Sequence, residues 1–273
     1  MNIYSRSSST GRLPEQANTP AEVEEAIRRL SREVNRKYLR KRLARLLGLK
    51  QRTADTARDK YDQIAGQYRQ TEDALSSDDM ELVMVGGTPH LMPAAEFLDH
   101  HRRYLAQVLS EAGGNSLMEV GAGELNTLLP VLALLPSRPE EVIALDISEA
   151  RLKAGQPYDK AGHVTKYITA SAADIPLPDK SVDVIFTNHC LEQSPKLVAP
   201  ALREFARVCR KRIILTEPAY ELAHPLQRKR IRKLGYVRGI PSTARRLGLN
   251  VVSHELLPVR RYRNGSAMTI IDI

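Results

Sequence analysis

The stretch Ser116-Leu-Met-Glu-Val-Gly-Ala-Gly-Glu-Leu-Asn-Thr127 decides the fold of this chain. Its first half is mostly apolar and of strand length, and it runs into a Gly-x-Gly turn. Gly121 and Gly123 allow the backbone to approach a ligand that any Cβ atom would obstruct. Asn126 or Thr127 can then begin a helix. The arrangement indicates a site for a nucleotide-bearing cofactor, with a plain change of chain direction as the alternative.

Three more strands are predicted downstream, and a polar residue or a turn follows each of them. The strand at residues 141–145 ends in Asp146, whose carboxylate is placed to face the two hydroxyls of a ribose. The strand near Lys166 leads into residues 171–176, and the strand at residues 182–187 ends in Asn188-His189-Cys190. Open parallel sheets bind ligands at the carboxyl ends of their strands, so these residues are expected around one pocket.

The end of the chain predicts how the sheet is completed. A fifth strand covers residues 212–216, and two apolar runs at residues 251–257 and 267–273 close the chain. Two closing strands in succession favour an antiparallel hairpin. A nicotinamide dinucleotide is disfavoured, because Asn126 stands where its fingerprint requires a third glycine and the chain has no Tyr-x-x-x-Lys pair.

Four segments together resemble the motifs of one enzyme family, namely Glu119-Val-Gly-Ala-Gly, Ala144-Leu-Asp-Ile-Ser, residues 174–186 and Ala201-Leu-Arg-Glu-Phe-Ala-Arg-Val. From about Tyr61 to the C-terminus, the chain resembles a class I S-adenosylmethionine-dependent methyltransferase. It is similar to the branch that includes small-molecule enzymes of the ubiquinone-biosynthesis type. The resemblance implies an α/β, Rossmann-like fold with a seven-stranded, mostly parallel sheet and a C-terminal antiparallel hairpin. It also implies S-adenosylmethionine as the cofactor.

The resemblance implies roles for individual residues as well. Gly121 and Gly123 would meet the methionine part of the cofactor, and Asp146 would meet the ribose. Ala172, with a neighbouring polar side chain, would meet the adenine. Glu119 and Asn188 are further candidates for cofactor contact.

Two departures from the family pattern affect these roles. Leu125 stands where a third glycine is common, which would narrow the cofactor channel or shift the start of the helix. Ser171 stands where the family has the aspartate that accepts a hydrogen bond from the adenine amino group. That role is therefore either weakened at Ser171 or moved to Asp174.

Length and composition fit one enzyme domain with an N-terminal appendage. The chain has 273 residues, of which 42% are hydrophobic. We predict a flexible N-terminus over residues 1–19, a helical extension or lid over residues 20–110, and a cofactor-binding catalytic domain over residues 111–273. Cys190 and Cys209 have neither disulfide-like nor metal-like spacing, and the histidines match no metal motif, so a cytoplasmic setting and no metal are expected. No stretch approaches a membrane span.

A basic helix is predicted after residue 19. Residues 21–52 contain eleven Lys or Arg against four Glu, so they hold +7 of the net charge of +9. Thr19, Pro20 and Glu22 form a capping box with proline at the first helical position, and Gly48 can end the helix. Apolar residues recur along one stripe, namely Val23, Ile27, Leu30, Val34, Tyr38, Leu43, Leu46 and Leu47.

The stripe predicts packing on its own domain or on a second subunit of a homodimer. Nucleic-acid binding and an acidic membrane surface are the alternatives. Nucleic acid is disfavoured, because the chain has no recognisable RNA-binding module and only 5% aromatic residues.

Residues 59–68 lie between that helix and the first motif. They resemble the Tyr-Asp-x-x-Ala-x-x-Tyr segment that related methyltransferases fold over their cofactor. Tyr61 and Tyr68 are therefore candidates for cofactor contact, because an aromatic face attracts a sulfonium cation and helps to exclude water. Packing of the two rings within a helix is the alternative.

The candidate catalytic residues follow the fourth and fifth strands. His189 is the candidate general base, with Glu192 one helical turn away to orient it, and packing of the following helix is the alternative. Asn188, Glu217 and Tyr220 are expected at the same rim, where the last two could bind an amine or hydroxyl of the substrate. A plain turn is the alternative for residues 217–220. Methyl transfer mainly requires alignment and exclusion of water, so a base is optional.

We therefore predict a cytosolic transferase that uses S-adenosylmethionine, first as an N- or O-methyltransferase of a small metabolite in biosynthesis. The alternative with the same cofactor is attack at another carbon of the sulfonium. It would transfer the aminocarboxypropyl group, or close it to azetidine-2-carboxylate with release of methylthioadenosine. A third interpretation is an RNA-associated or regulatory protein that binds the cofactor without turnover.

Overall fold

The computed structural model describes residues 19–46 and 54–273. The predicted flexible segment at residues 1–18 and the predicted helix end at Gly48 lie outside the described residues. The N-terminal region carries the helices α1 (Pro20–Leu46), α2 (Ala54–Gln63) and α3 (Gln67–Asp73), the strands β1 (Met80–Val85) and β2 (Thr88–Pro93), and the helix α4 (Ala94–Ala112). The capping box of α1 is confirmed, because Thr19 N donates to Glu22 Oε2 at 2.9 Å and Glu22 N donates to Thr19 Oγ1 at 3.4 Å.

The strands that follow are β3 (Ser116–Val120), β4 (Glu141–Asp146), β5 (Lys166–Thr169), β6 (Val182–Asn188), β7 (Cys209–Pro218), β8 (Asn250–Leu256), β9 (Val259–Arg261) and β10 (Ser266–Asp272). All but β9 form a seven-stranded sheet in the order β5-β4-β3-β6-β7-β10-β8. The strands β3 to β7 run parallel, whereas β10 runs antiparallel to both β7 and β8. The predicted Rossmann-like sheet with antiparallel C-terminal strands is confirmed.

Helices cover both faces of this sheet. The remaining ones are α5 (Leu128–Leu134), α6 (Glu149–Gly155), α7 (Val198–Val208), α8 (Pro225–Leu234) and α9 (Ile240–Arg246). The helices α4, α5 and α6 pack on one face around Leu117 and Phe186, and α7 and α9 pack on the other around Met118 and Ile185. The side chains of neighbouring residues in a strand point to opposite faces of the sheet. Parallel strands that are covered on both faces are therefore apolar at nearly every position.

The region at residues 20–110 is not wholly helical, which corrects the sequence prediction. The strands β1 and β2 pair antiparallel around Gly86 and Gly87, and β9 pairs with the other edge of β1. Val83, Met92 and Phe97 form the small core of this sheet. A Gly-Gly pair between two short, largely apolar runs is typical of a hairpin, so the signal was present in the sequence. The division of the chain near residue 110 and the lid function stay predictions.

The basic helix α1 packs on its own chain, which was one of the predicted interpretations. It contacts α8, β1 and β2, and Val34 is buried in this contact. Lys233 Nζ donates to Asn35 Oδ1 at 2.8 Å. The side chains of the predicted stripe beyond Val34 lie outside the described residues. In the described part of the chain, no helix has the length and apolar character that a membrane crossing requires.

Candidate active site

The turn between β3 and α5 has the backbone that its glycines permit. Gly121 and Gly123 have φ angles of 81° and 53°. Gly121 N and Ala122 N both donate to Leu145 O, at 2.7 and 3.0 Å, so the turn is tied to β4. A Cβ atom on Gly121 would lie 2.7 Å from Cys190 Sγ, and one on Gly123 would collide with the Arg151 guanidinium. Any side chain at these positions would be both strained and blocked.

Leu125 occupies the position where a third glycine is common, and it adopts the conformation that glycine favours. Its φ angle is 61°, and its side chain is fully buried in the core cluster of α4 and α5. The leucine side chain packs in the core, and its predicted effect on the cofactor channel or on the start of the helix stays a prediction. Burial of the leucine offsets the backbone strain, which is roughly 1–2 kcal/mol.

Asp146 closes the turn from the end of β4. Its Oδ2 accepts from Gly123 N at 2.8 Å, and its Oδ1 accepts from Ser148 N at 2.9 Å. Burial raises the pKa of Asp146, whereas the Arg151 guanidinium and the backbone N–H groups act against that rise. Each carboxylate oxygen can still accept a further hydrogen bond.

A cavity of about 100 Å³ lies at the carboxyl ends of β3, β4 and β6. It brings together several predicted site residues, and its walls include Tyr61, Gly121, Asp146, Ser171, Ala172, His189 and Cys190. Small-molecule pockets typically measure about 300–1,000 Å³, so the walls must move to admit a nucleoside. A wider groove of about 500 Å³ lies between α1 and the β1–β2 hairpin, but none of the strand-end residues lines it.

The structure separates the two candidates for the adenine contact. Ser171 and Ala172 line the cavity, whereas Asp174 is exposed and does not. Ser171 Oγ accepts from Ala173 N at 3.2 Å, and Asp174 N donates to Ser171 O at 3.0 Å, so the segment is a tight turn. This placement favours Ser171 over Asp174.

The two tyrosines of the predicted lid are placed differently. Tyr61, from α2, lines the cavity, and its ring centroid lies 5.4 Å from Arg151 Cζ. Tyr68, from α3, is 48% exposed and does not line the cavity, although its centroid lies 4.6 Å from the same atom. Burial raises the pKa of Tyr61 to about 12, so its hydroxyl stays protonated.

Polar contacts hold α2 and α3 over the glycine turn. They join Asp62 to Ser148 (2.5 Å), Arg69 to Glu124 (2.7 Å), and Glu72 to both Arg102 (2.5 Å) and Asn126 (2.8 Å). We call these four contacts the latch. The latch ties α2 and α3 to the predicted catalytic domain through Ser148, Glu124 and Asn126, and to α4 through Arg102.

Sequence analysis missed Arg151, whose guanidinium lies over the glycine turn. Ser148 caps the N-terminus of α6, and its Oγ accepts from Arg151 N at 3.2 Å. Arg151 therefore stands in the first turn of a helix, where the helix dipole disfavours a cation. A positive charge in the first turn of the helix that follows the strand-end carboxylate was the available signal.

His189 has a defined hydrogen-bonding environment at the cavity wall. Its Nδ1 lies 2.9 Å from Glu192 Oε2, and its Nε2 lies 3.1 Å from Ser266 Oγ. Burial acts to raise the pKa of Glu192, but the hydrogen bond and charge of His189 outweigh it, so the pKa is lowered. An ionised Glu192 selects the tautomer that donates from Nδ1, which leaves the Nε2 lone pair to accept a proton. The backbone of His189 is held at a φ of 57°, a strained value typical of functional positions.

The side-chain amide of Asn188 is hydrogen-bonded to other side chains of the protein. Its Oδ1 lies 3.1 Å from His101 Nε2, and its Nδ2 donates to Thr127 Oγ1 at 2.9 Å. Burial, followed by the charge of His189, lowers the pKa of His101 to about 4, so this imidazole is neutral. The prediction that Asn188 faces the ligand gains no support, because the residue does not line the cavity.

Glu217 and Tyr220 do not join His189 at one rim, which corrects the sequence prediction. Glu217 is buried beneath the loop after β6, where its Oε1 accepts from Thr187 Oγ1, Cys190 N and Leu191 N at 2.9–3.0 Å. The ring of Tyr220 lies 5.8 Å from Arg228 Cζ and 5.6 Å from Arg238 Cζ, outside the cavity. Glu217 thus shapes the loop that carries His189.

Comparisons with known proteins identify the domain. The sequence model of the methyltransferase domain family matches residues 118–215. The chain carries a class I S-adenosylmethionine-dependent methyltransferase domain. It is therefore an enzyme that uses S-adenosylmethionine. No curated protein matches its sequence.

Solved structures share the fold of this methyltransferase domain at low sequence identity. Magnesium protoporphyrin IX methyltransferase ChlM of Synechocystis PCC 6803, with bound SAH, has a TM-score of 0.55 and 12% identity, over 81% of this chain and 99% of that one. The (4+2)-cyclase SpnF has a TM-score of 0.58 and 14% identity, over 81% and 95%. A protein in complex with the Haloferax volcanii methyltransferase activator Trm112 has a TM-score of 0.50 and 13% identity, over 66% and 93%.

The residues around the cavity fit the cofactor of this domain. The two glycines form a cradle that a Cβ atom would fill, and Glu119 Oε2 is buried with no partner among the described residues. Burial, followed by the Asp146 charge, raises the pKa of Glu119 well above its ordinary value. An ammonium group beside Glu119 would supply the missing hydrogen bond. Within residues 19–46 and 54–273, no cluster of three His, Cys, Asp or Glu side chains is suited to a metal.

Proposed function

We propose that this cavity binds S-adenosylmethionine and that the enzyme methylates a nitrogen or oxygen atom of a small metabolite. The cofactor supplies an activated methyl group on a sulfonium. Gly121 and Gly123 would bind its methionine part, Asp146 its ribose hydroxyls, and Ser171 with Ala172 its adenine. The proposal is supported by the position of Gly121, Asp146, Ser171 and Ala172 at one cavity at the carboxyl edge of the sheet. Gly123 is tied to this cavity through Asp146, to which its N–H donates.

The environment of His189 is the observation that supports proton removal from the methyl acceptor. With Nδ1 hydrogen-bonded to Glu192, the Nε2 atom of His189 is the one that can accept a proton from the methyl acceptor. Ser266 Oγ occupies that position here, and an acceptor hydroxyl or amine would replace it as the donor to Nε2. His189 would then take the acceptor proton as the methyl group is transferred, and Glu192 would stabilise the imidazolium.

The N-terminal region is proposed to act as a lid over this cavity, with Tyr61 against the cofactor. Nucleic acid is a less suitable partner, because the apolar stripe of α1 packs on its own chain where it is described. The protein complexed with Trm112 shares the fold, and an activator subunit is therefore a partner to test. We expect a reducing compartment, since Cys190 and Cys209 are both free thiols.

The test incubates the purified enzyme with S-adenosylmethionine, with and without a metabolite extract, and identifies the nucleoside product by mass spectrometry. We expect S-adenosylhomocysteine, formed only when extract is present. If methylthioadenosine formed without extract, the methyl-transfer proposal would be rejected in favour of cyclisation of the aminocarboxypropyl group. A protein of the same fold, SpnF, is named a (4+2)-cyclase, which is a reaction other than methyl transfer.

A second measurement tests the base. Once an acceptor is found, His189→Ala should lower the single-turnover rate by about 100-fold, within the range for general base catalysis, and should remove its rise with pH. Cofactor affinity should change by less than about tenfold, or 1.4 kcal/mol, because His189 acts on the acceptor. A variant that keeps the wild-type rate and pH profile would exclude His189 as the base.

A further inference from the structure

The Arg151 guanidinium is enclosed but has few hydrogen-bond acceptors. Its side chain is 14% exposed and lies between the tyrosine rings of the lid and the glycine turn. Its one side-chain hydrogen bond among the described residues runs from Nε to Glu124 Oε1, and it is long, at 3.4 Å. A guanidinium carries five N–H donors, and no hydrogen bond joins Nη1 or Nη2 to another described residue.

Two features of the Arg151 environment favour a further anionic partner. Glu124 is fully buried and also binds Arg69, whose backbone N donates to Glu124 Oε2 at 2.7 Å. Arg151 also stands in the first turn of α6, where the helix dipole opposes its charge. Burial of a poorly paired cation is costly, and a planar anion could accept two parallel N–H bonds from Nη1 and Nη2.

A buried carboxyl group and a guanidinium lie close to the same turn. Glu119 Oε2 is buried and lacks a partner among the described residues, while Arg151 faces the cavity with free N–H donors. The two are close enough for the Arg151 charge to act against the rise of the Glu119 pKa. An amino-acid zwitterion, with an ammonium and a carboxylate on one carbon atom, matches this pair.

We propose that Arg151 is the carboxylate receptor of the cavity and that it binds the α-carboxylate at the amino-acid end of S-adenosylmethionine. This role rests on the proposed placement of the cofactor. Because the guanidinium contacts Gly123 in the structure described here, it must swing away from the glycine turn as the ligand enters. Arg151 thereby makes the cavity selective for ligands that carry the carboxylate.

The test compares two ligands by calorimetry. S-adenosylhomocysteine carries the amino-acid end, whereas 5′-methylthioadenosine shares the nucleoside but lacks the carboxylate. In Arg151→Met, the affinity for S-adenosylhomocysteine should fall by about 10- to 100-fold, as for a lost hydrogen bond to a charged group. The affinity for methylthioadenosine should stay within about threefold. Arg151→Lys should recover part of the loss, and Lys153→Met serves as the control, because it removes one exposed positive charge from the same helix.

The alternative outcomes are distinct. Tighter binding of both ligands to Arg151→Met would show that Arg151 obstructs the cavity, and equal weakening of both would show that it only shapes the cavity. Either result overturns the proposal. If the wild-type enzyme and Asp146→Ala bound both ligands equally, or if the wild-type enzyme bound neither, the proposed cofactor site itself would be wrong. Binding that depends on Asp146 but not on Arg151 would leave that site standing and reject the carboxylate role.

Discussion

Glu217 is a buried carboxyl group whose two oxygen atoms have unequal environments. Oε1 accepts three hydrogen bonds, and Oε2 has no partner among the described residues. Burial raises the pKa of Glu217 to about 7, although the charge of His189 and the loop N–H groups oppose the rise. The protonated group is therefore the favoured form in the folded protein at mildly acidic pH.

Glu217 should make the stability of the enzyme depend on pH. Its pKa is about 7 in the folded state against an ordinary 4.5, so the folded protein binds more protons between these values. Its contribution to stability is present below pH 4.5 and is lost as the pH rises to 7, by roughly 3 kcal/mol. Glu217→Gln imitates the protonated carboxyl group and should remove this pH-dependent contribution to stability. Denaturant unfolding at pH 5 and pH 8 should show a smaller loss in the variant, and parallel losses would contradict the assignment.

Asp146 is expected to bind the ribose and to brace the glycine turn as well. Asp146→Ala should weaken cofactor binding by roughly 1.5–3 kcal/mol, as for lost hydrogen bonds to a charged group. Asp174→Ala is the matched control, because Asp174 is exposed and lies outside the cavity. Calorimetry should show cofactor affinity unchanged in the control. A loss in Asp174→Ala alone would return the adenine contact to that residue.

For single residues, the sequence predicted the place of a residue in the fold better than the direction in which its side chain points. Gly121, Asp146 and His189 reach one cavity because strand ends and turns fix their places. Glu217 also follows an apolar strand, but the N–H groups of the loop after β6 require an acceptor, and it turns beneath them. Arg151 belongs to no family motif, and only its contacts across the turn distinguish it from a surface arginine.

Among the elements, we expect the latch to control how easily the proposed lid opens. Glu72, on α3, contacts both Arg102 and Asn126, which belong to α4 and the glycine turn. Glu72→Ala removes both contacts, so the cofactor should associate and dissociate faster, with amide exchange increased over Gln67–Asp73. Gln70→Ala changes an exposed residue of the same helix and is the control. Stopped-flow rates that match in wild type and Glu72→Ala would mean that the cofactor enters without lid movement.

Strands of the main sheet could be predicted because their apolar runs reflect burial on both faces. The hairpin at Met80–Val85 and Thr88–Pro93 was missed, since its runs are interrupted by Glu81, Pro89 and His90. Its burial is shallow, and pairing with Val259–Arg261 joins segments that are distant in the chain. Local patterns carry no information about such a partner.

Across the whole molecule, α1 connects the small sheet with α8. Val34→Asp would place an unpaired carboxylate in this contact, where the side chain is buried, and should lower the free energy of unfolding by roughly 2–4 kcal/mol. Arg36→Asp introduces the same group at an exposed position of α1 and should have an effect below about 0.5 kcal/mol. Equal stability of the two variants in urea unfolding would mean that α1 does not rely on this face.

The β1–β9 pairing can form only late in the synthesis of the chain. Val85 pairs with Val259, a residue translated roughly 170 positions later, which takes about 10–35 seconds at 5–20 residues per second. Throughout that interval the hairpin leaves one edge of β1 without its partner strand, and an unpaired edge invites pairing with other chains. The ribosome must therefore translate the chain as far as Arg261 before the three-stranded sheet can be completed. Nascent chains halted before Val259 should need chaperone protection that chains released after Asp272 do not.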